Sequence, residues 1–123
     1  MKRALLVEDH AVFREALAAV LAEHTDLKRT VQAGSLPEAR RISGHLAGEV
    51  DLVVVDLDLP NGEGISLIDY LREVEPDIPV LALTNARNLE QRAYALRAGA
   101  DEVLSTASSV DKIVGVVQQL VGG

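Results

Sequence analysis

The chain has 123 residues, 48% of them apolar and 25% charged, with a formal net charge of −7. That length fits one compact domain spanning 1–123, and with Phe13, Tyr70 and Tyr94 as its aromatics the core has to be aliphatic. The absence of cysteine excludes disulfides, thiolate catalysis and zinc–sulfur sites, and the acidic balance argues against direct binding of a nucleic-acid backbone.

Taken in order, Ala4-Leu5-Leu6-Val7 predicts a short buried strand ended by Glu8-Asp9-His10. Lys2-Arg3 ahead of this run has the look of a signal-peptide start, but Glu8-Asp9 cuts the apolar segment well short of one. No later run approaches the roughly 18 apolar residues of a membrane span, so no membrane association and a cytoplasmic location are expected. Val12, Phe13, Ala16, Leu17, Val20 and Leu21 fall on one face at helical spacing. A second strand is expected over 27–33, ended by Gly34. Ser35 and Glu38 then have capping-box spacing, with Pro37 in the first turn, where its missing N–H is tolerated. Leu36, Ala39, Ile42 and Leu46 give that helix its inner side.

The third apolar run, 51–55, is rich in β-branched Val and delivers Asp56 to a turn marked by Pro60, Gly62 and Gly64. Such a run reads as a strand buried on both faces. Ile65, Ile68, Leu71 and Val74 predict the next helix, and Pro76 and Pro79 bracket its exit. The run 78–83 predicts a fourth strand ending on Thr84-Asn85. Asn88 and Gln91 are spaced as a cap before a helix carrying Leu89, Ala93 and Leu96, with Gly99 suited to a left-handed C-terminus. A fifth strand over 101–105 follows. Ser108 or Ser109 then caps a last helix with Val110, Ile113, Val114, Val117 and Leu120 inward.

Five strands alternating with five helices imply an α/β fold, a doubly wound five-stranded parallel sheet with right-handed crossovers. Open sheets of this kind bind ligands at the carboxyl edge of their strands. Glu8-Asp9, Asp56, Asp58 and Thr84-Asn85 would meet there if the first and third strands are neighbours. Crowded hard oxygens of this sort suit Mg²⁺. The competing reading is that Glu8, Asp9 and Asp56 only cap turns and helices, as such residues often do.

The whole pattern resembles the receiver domain of two-component response regulators, the (βα)5 flavodoxin-like receiver fold. The resemblance rests on Leu5-Leu6-Val7-Glu8-Asp9-His10, Val55-Asp56-Leu57-Asp58-Leu59-Pro60 with Gly62 and Gly64, Leu81-Ala82-Leu83-Thr84, and Ala98-Gly99-Ala100-Asp101. The opening through Phe13-Arg14-Glu15 is most similar to the NarL/FixJ type, which usually carries a C-terminal helix-turn-helix DNA-binding domain; the chain itself holds none, so it reads as a stand-alone or excised receiver. The resemblance implies that Asp56 is the phosphoacceptor for a histidine kinase or phosphotransfer protein. It further implies that Asp9, Asp56 and the Asp58 backbone carbonyl bind Mg²⁺ with Glu8 acting through water, and that Thr84 is the switch hydroxyl. It implies no enzyme beyond slow autodephosphorylation, and a homodimer as a further partner.

The sequence departs from that family at three places. Thr106 stands where a receiver has a lysine, Val103 replaces the aromatic of the switch, and Asn85 follows Thr84 where a small residue is usual. A hydrogen bond to a charged group contributes roughly 1.5–3 kcal/mol, whereas moving a two-state equilibrium from 1:99 to 99:1 takes about 5.5 kcal/mol. Thr84 alone is therefore expected to give a partial switch. Arg87 offers a substitute cation, or is a solvated loop arginine. The alternative function is a non-phosphorylated, receiver-like docking or dimerisation domain. Asp56-Leu57-Asp58 also resembles the nucleophile motif of haloacid-dehalogenase-type phosphatases, but that motif normally lies on the first strand. His10, His24 and His45 are dispersed and read as surface residues. The turn 61–64 lacks the GK[ST] ending of a P-loop.

Overall fold

The computed structural model describes residues 2–85 and 89–122. Its elements are β1 (Arg3–Val7), α1 (Ala11–His24), β2 (Arg29–Ala33), α2 (Leu36–His45), β3 (Leu52–Asp56), a 3₁₀ turn (Pro60–Gly62), α3 (Glu63–Val74), β4 (Val80–Thr84), α4 (Leu89–Ala98), β5 (Glu102–Ser105) and α5 (Val110–Val121). The five strands form one sheet in the order β2-β1-β3-β4-β5, and every pair is parallel. The doubly wound α/β reading of the sequence therefore holds.

Strand alternation divides the core between the two faces of the sheet. Leu5, Val7, Val53, Val55, Val80 and Ala82 pack with Ala39, Leu67, Ile68, Leu71 and Ala95, from α2, α3 and α4. Ala4, Leu6, Leu52, Val54, Leu81 and Leu83 pack with Leu17, Leu21, Ile113 and Val117, from α1 and α5. β3 and β4 are buried along their whole length, which is why their sequences read as unbroken apolar runs.

The helix ends follow local chemistry. Ser35 Oγ accepts from the Glu38 N–H at 3.3 Å, while the Glu38 carboxylate accepts from the Gly34 N–H at 2.6 Å. Half of the expected capping box is thus shifted one residue upstream. Ser109, rather than Ser108, caps α5 by accepting from the Lys112 N–H. The expected cap residue Asn88 lies outside the described residues, as does Arg87.

Several expected inner faces are rotated. Val12 in α1 is 83% exposed and Ala16 is exposed. Val74 and Val110 are also largely exposed, and Leu67, not Val74, completes the buried side of α3. In α4 the expected stripe of Leu89 and Leu96 faces out, and Ala95 is the buried residue. The small Ala95 side chain is the one buried on this helix, and the Gln91 side-chain amide anchors it by donating a hydrogen bond to the Leu57 carbonyl at 2.9 Å. Its inner face is therefore set by Ala95 and a polar contact, not by its largest apolar residues.

Two glycines answer to specific neighbours. A Cβ on Gly64 would lie 2.5 Å from the Asp56 carbonyl oxygen, so the start of α3 rests directly on the backbone that follows β3. Gly99, at φ 120°, ends α4 against the aliphatic stem of Arg72. The Arg72 guanidinium donates to the carbonyls of Gly99, Ile78 and Pro76 and pairs with Asp101 at 3.0 Å. One side chain thus ties α3 to the entries of β4 and β5.

Candidate functional site

The register of the sheet dictates which residues meet. Val7 pairs with Val55, so Glu8 and Asp56 come level at the carboxyl edge. Alternation continues Ala4 and Leu6 to Glu8, and Leu52 and Val54 to Asp56, on the same side of the sheet. Asp56 pairs with Leu83 and Thr84 with Ser105, which brings Thr84 one residue beyond Asp56. The Thr106 N–H donates to the Thr84 carbonyl at 3.0 Å, extending this ladder past the end of β5.

Glu8 and Asp56 are buried, at 6% and 4% exposure, whereas Asp9 and His10 are exposed. Potential ligand atoms of Glu8, Asp9, His10 and Asp56 all lie within 4.8 Å of one another. Burial pushes the Asp56 carboxyl up to about 7, and the nearby charge of Glu8 and a hydrogen bond to it act in the same direction. The Asp58 N–H, which donates to Asp56 Oδ1 at 2.7 Å, opposes that rise and fixes the carboxylate's orientation. Among the described residues, the ion pairs of Glu8 and Asp9 are with His10, whose Nδ1 lies 3.0 Å and 3.3 Å from them. The hydrogen bond to Glu8, followed by the charges of Asp9 and Glu8, holds His10 above its ordinary pKa. Arg14 donates to the backbone carbonyl of Glu8, not to its carboxylate. The donor set is thus oxygen-rich and short of positive charge, and a hard divalent cation fits it.

Asp58 points elsewhere. Its Oδ1 accepts from the Thr84 hydroxyl at 3.0 Å and its Oδ2 from the Asn85 N–H at 2.7 Å. Gln91 Oε1 lies 3.0 Å from the same Thr84 oxygen. An open cavity of about 170 Å³ is lined by Glu8, His10, Phe13, Asp56, Asp58, Asn85 and Thr106. Val103 is buried in the core, and its carbonyl accepts from Arg92 at 3.0 Å.

The residues singled out in the sequence, Glu8, Asp9, Asp56, Asp58 and Thr84, therefore converge. Three contributors escaped the sequence reading. His10 was legible only as a surface histidine, since its Nδ1 contacts depend on how the chain turns after β1. Gln91 carried a cap signal but serves as the link between Thr84 and the Leu57 carbonyl. The Asp58 side chain, expected to contribute through its backbone alone, ties down the end of β4.

A family model described as the response regulator receiver domain matches residues 4–118. The chain is 30% identical over 121 residues to the virulence transcriptional regulatory protein PhoP of Salmonella typhimurium, a match covering 98% of this chain and 52% of that protein. It spans about half the length of the curated relatives it matches. Among solved structures, it resembles a response regulator of Burkholderia pseudomallei with a phosphorylated aspartic acid, calcium ion and citrate. That match has 30% identity and a TM-score of 0.80, covering 97% of this chain and 72% of the other. It also resembles the beryllofluoride-activated NtrC4 receiver domain dimer, with 28% identity, a TM-score of 0.88, and coverage of 99% and 98%.

Proposed function

The chain belongs to the response regulator receiver domain family, and on that premise we propose that it accepts a phosphoryl group on Asp56 from a histidine kinase or phosphotransfer protein. Receiver domains of two-component systems are phosphoryl-accepting signalling domains, not classical enzymes, and they bind Mg²⁺ through an acidic pocket. The observation that carries the proposal is the convergence of Glu8, Asp9 and Asp56 at one sheet edge with Thr84 one residue further on.

In this reading Asp9, Asp56 and the Asp58 backbone carbonyl would hold Mg²⁺, with Glu8 contributing through water. The bound ion would neutralise charge on the transferring phosphoryl oxygens. The Asp58 N–H orients the Asp56 carboxylate, one oxygen of which attacks phosphorus. The P–N bond of the phosphohistidine breaks, its electron pair returns to the imidazole, and an acyl phosphate remains on Asp56. Thr84 then donates to a phosphoryl oxygen and draws the end of β4 inward. Phosphorylation changes affinity for a partner, either a second copy of the chain or an output module. A helix-turn-helix module controlling transcription is the output we propose, in keeping with the NarL/FixJ-like opening at Glu8-Asp9-His10. The transcriptional regulatory relative, about twice the length of this chain, supports it.

Incubation with Mg²⁺ and acetyl phosphate, followed by intact-mass measurement, tests the proposal. Wild type is expected to gain one phosphoryl group and Asp56→Asn none; an unmodified wild type under conditions that modify an ordinary receiver would overturn it. Thr106 motivates a second reading. With Thr106 at the end of β5 in place of a lysine, a non-phosphorylated receiver-like docking or dimerisation domain is the outcome if no mass is gained.

A further inference from the structure

The Asp58 carboxylate reaches two donors at the end of β4, the Asn85 N–H at 2.7 Å and the Thr84 hydroxyl at 3.0 Å, whose single proton it shares with Gln91 Oε1 at the same distance. This is a bidentate, charge-assisted arrangement, stronger than a pair of neutral hydrogen bonds. Its geometry is that of an anion held by a hydroxyl and an adjacent backbone amide. The backbone of Asp58 is itself fixed beside the acceptor, because its N–H donates to Asp56 Oδ1 at 2.7 Å. Asn85, Asp58 and Asp56 also line the same cavity, so an anion arriving on Asp56 enters a space that Asn85 and Asp58 border.

We propose that the Asp58 carboxylate is a resident anion that occupies the Thr84 hydroxyl and the Asn85 N–H, and that a phosphoryl group on Asp56 must displace it to recruit them. The proposal rests on the phosphoacceptor reading of Asp56 and names a regulator of that site. Two consequences follow. The end of β4 is held toward the site before any phosphorylation, so part of the switch is already engaged. The phosphoryl group meets a like charge where the fold supplies Thr106 and no lysine at the end of β5, which weakens its hold on Thr84. Asp58 is a positioning residue here: it acts through Thr84 and Asn85.

Two readouts test this on the full chain. In protein free of metal and phosphodonor, Asp58→Ala is expected to speed amide hydrogen exchange at Asn85 by roughly tenfold or more, the worth of one hydrogen bond to a charged group. With Mg²⁺ present, Asp58→Ala is expected to bind beryllofluoride about tenfold more tightly than wild type. Asp58→Asn, which keeps the shape but not the charge, should fall between them and covers the case in which the alanine variant folds poorly. In a Thr84→Val background the gain in affinity should shrink, as expected of a coupled pair. Unchanged Asn85 exchange, or equal beryllofluoride affinity with and without the Asp58 carboxylate, overturns the proposal. Failure of the underlying reading looks different. Neither protein would then bind beryllofluoride although Asn85 exchange responds, and that result removes the competition together with the phosphoacceptor role.

Discussion

Asp56 combines a buried carboxyl with a carboxylate neighbour, and the combination has a measurable price in stability. Its folded-state pKa of about 7 lies above the ordinary value of 3.8. Between these values the folded chain binds the proton more tightly than the unfolded chain, so this group's contribution falls as pH rises through about 4 to 7. Asp56→Asn removes that fall. In urea unfolding with a chelator present, the variant is expected to gain stability over wild type from about pH 4 to about pH 8, by on the order of 2–4 kcal/mol. His10 is also raised, and its contribution likewise declines with rising pH; the Asp56 charge is the smallest of the causes that raise it, so the comparison between variant and wild type reads Asp56 together with a minor change at His10. At this scale the sequence was informative about chemistry and poor about orientation. Glu8, Asp9, Asp56 and Thr84 announced themselves as polar groups terminating apolar runs. That the Asp58 side chain turns to Thr84, or that His10 folds back onto Glu8, depends on backbone dihedrals after each strand that no residue pattern encodes.

Among the elements, the helices show where periodicity stops being a guide. The spacing located α3 and α5 closely, yet Leu89 and Leu96 of α4 face outward and Ala95 faces in. A helix's inner face is chosen by what it packs against, and α4 turns its own Ala95 inward and is tied to the Leu57 carbonyl by its own Gln91 amide. Arg72 illustrates the same limit: nothing in its sequence context marks it, but it gathers the carbonyls of Gly99, Ile78 and Pro76 with the Asp101 carboxylate. Asp101 in turn accepts from the Val80 N–H at 2.8 Å, so the network orders the first residues of β4. Arg72→Met keeps much of the stem and deletes the donors. It is expected to cost about 1–3 kcal/mol in chemical denaturation, because the part-buried carbonyls of Gly99 and Ile78 lose their donors.

For the molecule as a whole, the fold class was readable because all five apolar runs are short and separated by helical segments, which leaves a parallel sheet as the consistent solution. The strand order β2-β1-β3-β4-β5 then brings the ends of β1, β3 and β4 side by side. A ligand of that edge stabilises the folded state by mass action, by about 2.7 kcal/mol at a hundredfold excess over Kd. Mg²⁺ is therefore expected to raise the thermal midpoint of wild type, and Asp9→Asn to abolish the rise; an equal shift in both proteins would place the ion elsewhere. The ladder that runs on past β5, through the Thr106 N–H to the Thr84 carbonyl, carries a last consequence. That bond pins the Thr106 backbone, and the residue lines the cavity beside Asp56. Thr106→Lys should thus need no rebuilding of the chain, and it is expected to lengthen the lifetime or raise the yield of the acyl phosphate in the acetyl phosphate assay. If that lifetime responds, one side chain beside the cavity would set how long a phosphoryl group is held while the sheet that positions Asp56 stays as it is.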